Sequence, residues 1–144
     1  MRIAVVSGPN LNLLGRREPE IYGPDTLEQI EQRLRQVGEE IGVEVESFQS
    51  NAEGALIDYI QESSERVNAF LVNAGGLTHT SVALRDALAA VRIPFLEIHL
   101  SNIHAREAFR RRSYLSDLAV GVITGLGAQG YELALAYALA HPKD

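Results

Sequence analysis

Five short apolar runs, each of strand length, alternate along this chain with four segments of helical spacing, and that order constrains the fold more than any other feature. Residues Arg2 to Val6 read as a buried strand stopped by the turn formers Ser7, Gly8 and Pro9. From Asp25 to Ile41 the apolar residues Leu27, Ile30, Leu34, Val37 and Ile41 recur on one helical face, with Asp25 or Thr26 as cap. Val43 to Phe48 alternates as a strand, and Ala55 to Val67 returns to helical spacing through Leu56 and Ile60. Ala69 to Val72 is a wholly apolar strand running into Asn73, Ala74, Gly75 and Gly76, followed by an alanine-rich helix from Ser81 to Val91. Pro94 to Ile98 and Leu118 to Thr124 read as the remaining strands, and Tyr131 to Ala140 as the last helix. Strands that each hand over to a helix form a parallel sheet covered on both faces.

At 144 residues with 46% hydrophobic side chains, the sequence is expected to make one domain over residues 1–144. Its net charge of -6 disfavours binding to a nucleic-acid backbone. Cysteine is absent, which removes disulfides, thiolate nucleophiles and cysteine metal clusters. The sole lysine, Lys143, lies at the end of the sequence, so Schiff-base catalysis is disfavoured. The apolar run before Gly8 is too short for a signal-peptide core, and no stretch reaches membrane-spanning length, so the expectation is a cytoplasmic protein without a membrane partner.

Ligands of open parallel sheets bind beyond the carboxyl ends of the strands. Asn10, Arg16, Arg17 and Tyr22 fall there after the first strand, Asn73 and His79 after the third, and Glu97, His99, Ser101 and Asn102 after the fourth. The first group lies in Gly8 to Pro24, read as a long irregular loop and hence a functional candidate. A tyrosine is a poor base at neutral pH unless a nearby cation favours its phenolate, which Arg16 or Arg17 can supply. The competing reading packs the Tyr22 ring on the core and leaves the arginines in water. Glu97 and His99, two apart on a strand, point the same way, so the carboxylate can orient an imidazole acid; a merely hydrogen-bonded buried histidine fits the spacing nearly as well. A zinc site of His79, His99, His104 and Glu97 matches no common spacing and lies near arginines, so no metal is expected.

Arg106, Arg110, Arg111 and Arg112 form the one basic cluster, with Arg106 and Arg110 at helical spacing. In an acidic chain this favours a small anionic ligand or an oligomer contact over RNA. Residues Gly125 to Gly130 spell GxGxxG, the formal dinucleotide pattern, but follow the last strand with no later strand to carry a ribose-binding acid. A tight strand-to-helix turn is the simpler reading.

Longer blocks are more specific. GPNLNLLG at 8–15, REPEIYG at 17–23, QSNAEG at 49–54, NAGGLTHTSVALRDAL at 73–88, EIHLSNIHARE at 97–107, RRSYLS at 111–116 and GLGAQGY at 125–131 resemble the type II 3-dehydroquinate dehydratases of the shikimate pathway. The resemblance implies a flavodoxin-like α/β fold with a five-stranded parallel sheet in the order 2-1-3-4-5. It implies reversible anti dehydration of 3-dehydroquinate to 3-dehydroshikimate through an enolate, with no cofactor, by a homododecamer built as a tetramer of trimers. By motif position Tyr22 resembles the base, Arg17 the support of its phenolate, Asn10 the holder of the water that stabilises the enolate, and His99, oriented by Glu97, the acid. Asn73, His79, Asp86, Leu100, Ser101 and Arg110 resemble substrate-binding residues, with Asp86 donated by a neighbouring subunit, and Arg106 an active-site support. Ser7 and Ala52 depart from the family's common asparagine and histidine. Two rival readings are another lyase or hydrolase acting on a small carboxylate, and a non-catalytic module presenting its arginines to a partner.

Overall fold

The computed structural model describes residues 1–141; residues 142–144, including Lys143, lie outside the described residues. Five parallel strands, β1 (Arg2–Ser7), β2 (Glu44–Gln49), β3 (Ala69–Asn73), β4 (Phe95–His99) and β5 (Gly121–Thr124), pair in the order β2-β1-β3-β4-β5. This is the flavodoxin-like order. The helices are α1 (Pro19–Tyr22), α2 (Leu27–Ile41), α3 (Glu53–Ser63), α4 (Val82–Val91) and α5 (Gln129–Ala140). None of the described helices is long and apolar enough to cross a membrane.

Alternation along each strand divides the core into two layers. Ile3 and Val5 of β1, Leu71 of β3 and Ile98 of β4 pack with Ile30 and Leu34 of α2 and with Tyr131 and Leu135 of α5. Ala4, Val6, Phe70, Val72 and Phe95 pack on the other face with Leu56 and Ile60 of α3 and Leu84 and Leu88 of α4. Each large side chain buried this way contributes roughly 1.5–3 kcal/mol. Thr26 is the cap of α2: its hydroxyl accepts from Gln29 N–H, and the Gln29 side chain accepts from Thr26 N–H.

Most bounds shift by only one or two residues, and three segments differ by more than that or in kind. Residues 8–24 are wound rather than irregular, with a 3-10 turn at Leu11–Leu13 and the short α1, and Leu11 and Leu14 anchor them in the core. α3 begins at Glu53 and stops at Ser63, not Val67; the Ser63 hydroxyl donates to Tyr59 O at 2.6 Å, and the chain then turns so that Val67 enters the core below β3. β5 begins at Gly121 because Leu118 and Ala119 close a turn onto Leu115 O.

Candidate active site

β4 delivers Glu97 and His99 to the same side of the sheet end. Glu97 is 0% exposed and His99 5%, and His99 Nε2 lies 2.6 Å from Glu97 Oε2. The other carboxylate oxygen accepts from Ser113 Oγ and Ser116 Oγ, both at 2.9 Å. Burial alone would raise the Glu97 carboxyl, but the hydrogen bond and charge of His99, followed by the two hydroxyls, hold it below the ordinary carboxylate value. The ring is held through Nε2, leaving Nδ1 as its other polar atom.

Tyr22 closes α1 and packs, half-buried, against the α2–α5 core layer. The Arg17 guanidinium carbon lies 4.7 Å from its ring centroid and that of Arg106 5.0 Å. The ring thus meets the core, as one sequence reading has it, and carries two guanidiniums over its face rather than leaving them both in water. Arg17 does this, whereas Arg16 is exposed. The backbone bends here through left-handed residues, Asn10 at φ 70° and Glu18 at φ 39°. Asn10 N–H donates to Asn51 Oδ1 at 2.9 Å, tying the segment to the end of β2.

A cleft of about 170 Å³ brings together Asn10, Arg17, Tyr22, Asn73, His79, His99, Leu100, Ser101 and Arg110 from the sequence candidates. Glu97 stands behind His99. Arg106 reaches Ser101 Oγ at 3.3 Å, and Arg110 donates to Glu107 Oε2 at 2.6 Å. Arg106 and Arg110 do not share a helix: Arg106 is extended between two 3-10 turns, Ile103–Ala105 and Ala108–Arg111. His79 Nδ1 donates to Arg112 O at 2.8 Å, and its ring stacks toward that of His99 with centroids 6.4 Å apart. Burial pushes the His79 imidazole below its ordinary value; the Arg112 carbonyl opposes this, and the nearby His99 and Arg110 charges reinforce it. Asp86 sits exposed on α4 and does not line this cleft. Among the described residues no group of three or more His, Asp or Glu side chains is arranged to hold a metal ion.

The GxGxxG segment buttresses this site. Gly125 N–H donates to His99 O at 3.2 Å and Gly127 N–H to Leu100 O at 3.0 Å, while Thr124 Oγ1 donates to Ser101 O at 3.0 Å. Gly125 has φ +87°, and a Cβ there would meet Asn102 Cβ at 3.1 Å; a Cβ on Gly130 would meet Ile123 Cγ2 at 3.1 Å. The glycines bring α5 close to β5 and fix the chain after β4. Tyr131, next in the motif, is fully buried and accepts from Asn73 Nδ2 at 3.0 Å, while Asn73 Oδ1 accepts from Gly75 N–H. Asn73 is thereby oriented from behind the cleft. Sequence patterns assign no role to Tyr131, Ser113 or Ser116; Ser113 and Ser116 are visible there only as part of the RRSYLS block.

A tyrosine flanked by guanidiniums and a histidine backed by a buried carboxylate, facing one cleft at the sheet end, are the working parts of an acid–base enzyme. Comparison with known proteins supplies the family: residues 1–139 match Dehydroquinase class II, and the chain belongs to it. The catabolic 3-dehydroquinase of Podospora anserina is 57% identical over 155 residues, covering 99% of this chain and 96% of that protein. The 3-dehydroquinate dehydratase of Bordetella avium is 60% identical over 140 residues, covering 96% and 97% respectively. The crystal structure of type II dehydroquinase from Propionibacterium acnes superposes with a TM-score of 0.93 at 40% identity, covering 96% of each chain.

Proposed function

We infer that the chain dehydrates 3-dehydroquinate to 3-dehydroshikimate in the shikimate pathway, a reading supported by its family and by relatives named for that reaction. The observation that carries the mechanism is that one cleft is lined both by Tyr22, under two guanidiniums, and by His99, on a buried carboxylate. Tyr22 removes a proton alpha to the ketone, with Arg17 supplying positive charge beside the developing phenolate and Arg106 supporting it. Asn10 holds the water that stabilises the enolate. His99, oriented by Glu97, then gives its proton to the departing hydroxyl. The elimination changes no oxidation state, so an aligned base, a donor to the enolate and an acid are sufficient without a cofactor.

Leu100 and Ser101 receive the substrate carboxylate, with the Ser101 hydroxyl beside Arg106. Asn73, His79 and Arg110 bind the hydroxyls and ring. His79 commits Nδ1 to a backbone carbonyl, which leaves Nε2 for the ligand. Asp86, exposed and outside the lining of its own cleft, is donated to a neighbour in a homododecamer of four trimers, and the single domain works in the cytoplasm. The test is the ultraviolet absorbance of 3-dehydroquinate mixed with the purified protein, alongside Tyr22→Phe and His99→Ala. A rising conjugated-enone signal that Tyr22→Phe abolishes is expected, and sedimentation at the mass of twelve chains accompanies it. Folded wild-type protein that leaves the absorbance flat would overturn the assigned reaction.

A further inference from the structure

We propose that Ser113 and Ser116 are positioning residues for the acid: through Glu97 they fix the ring orientation of His99 and the nitrogen that carries its mobile proton. The proposal deepens the reading above, since it rests on His99 as proton donor. Ser113 Oγ accepts from the backbone N–H groups of Leu115 at 3.0 Å and Ser116 at 3.2 Å. Both its lone pairs are thereby occupied, so its one hydrogen goes to Glu97 Oε1. Ser116 Oγ donates to the same oxygen. With Oε1 saturated by two hydroxyl donors, Glu97 is held as an acceptor at Oε2 and takes the Nε2 hydrogen of His99. The proton delivered into the cleft is therefore the one on Nδ1.

The serines are themselves held in place. Tyr114 N–H donates to Thr78 O at 2.9 Å, Arg85 Nη1 donates to Tyr114 O at 2.8 Å, and the Arg85 guanidinium pairs with the Asp117 carboxylate. The 113–117 turn is thus docked on α4 and on the 3-10 turn Gly75–His79 that precedes it. A buried carboxylate without such donors is strongly disfavoured as an anion. Without the serines the proton of the pair shifts toward Glu97, and the imidazolium loses its counter-charge.

The experiment is a double-mutant cycle on the full-length assembled enzyme, measuring kcat and KM for Ser116→Ala, Glu97→Gln and the combination. Ser116 is chosen because Ser113 also caps its turn. Ser116→Ala is expected to lower kcat about 10-fold, part of the roughly 10²–10⁴-fold that a positioned acid contributes, with KM within about twofold. On the Glu97→Gln background the same change costs less than about twofold, and Ser116→Thr, which keeps the hydroxyl, restores kcat. Equal losses in both backgrounds overturn the proposal. Nitrogen NMR of labelled histidine gives an arm independent of turnover: neutral His99 carries its hydrogen on Nε2 in the wild type, and Ser116→Ala moves those ring signals. Unmoved signals overturn the proposal. A wild type with no dehydratase activity would instead sink the functional reading, while the NMR arm still decides the role of the serines.

Discussion

The two halves of the proposed acid–base apparatus are built in opposite ways. His99 leaves the end of a central strand with 5% exposure and a neighbour, Glu97, whose three hydrogen-bond donors are all protein side chains. Tyr22 ends a one-turn helix in a segment that bends through two left-handed non-glycine residues, Asn10 and Glu18, and its cations come from Arg17 beside it and Arg106 far along the chain. The proposed acid is set by the sheet, whereas the proposed base is assembled by surface segments.

The sharpest way to break the comparison is to remove the base. Tyr22→Phe keeps the ring and its packing but lacks the phenolic oxygen, so kcat should fall about 10³-fold, within the usual span for a general base. The melting temperature should hold, because the ring on the α2–α5 layer is unchanged. A stopped assay that finds tenfold or less would move proton abstraction to another residue.

Glu97→Gln tests the other side and should cost about 10–100-fold in kcat, less than loss of the base because His99 remains in the cleft. It should also alter acid stability. Burial opposes ionisation of Glu97, yet its hydrogen bonds with His99 and the serines leave the folded carboxyl below its ordinary value. A depressed carboxyl contributes stability that is fully present above the unfolded value and is lost as pH falls through the folded one. Urea titrations below about pH 4.5 should therefore show wild-type stability falling more steeply than that of Glu97→Gln. Parallel curves would mean that the carboxylate's partners do not favour its charged form.

The same contrast decides what is legible in the sequence. The strand ends are readable because wholly apolar runs such as Ala69–Val72 stop at polar residues, and the spacing of Glu97 and His99 places both on one side by the period of a strand. The Tyr22 segment is not, since α1 is a single turn after Pro19, too short for periodicity to register. Arg106 reaches the tyrosine through an extended residue between two 3-10 turns, where helical spacing is the wrong guide. Ser113 and Ser116 carry neither charge nor periodicity, and their importance exists only because the turn faces a buried carboxylate. GxGxxG is legible as packing rather than phosphate binding. Its amides, donating to the carbonyls of His99 and Leu100, brace the strand-borne half of the site.

The smallest effect separates the halves most cleanly. Thr26→Ala removes the hydroxyl that accepts from Gln29 N–H at 3.1 Å, at the start of α2 and immediately after the Tyr22 segment. Loss of such a cap costs about 1 kcal/mol, which corresponds to roughly 3–5 °C in Tm for a chain of this size. Thr26 also touches the turn at Gly15, where its Cγ2 lies 2.8 Å from the place a Cβ would occupy, so loosening the cap loosens the segment that holds Arg17 and Tyr22. The consequence should be a two- to threefold fall in kcat/KM, on the order of 0.5 kcal/mol, with the His99 ring signals in histidine NMR unmoved. Signals that shift with the cap would show the strand-borne acid and the surface-built base to be one cooperative unit, and the division between them would fail.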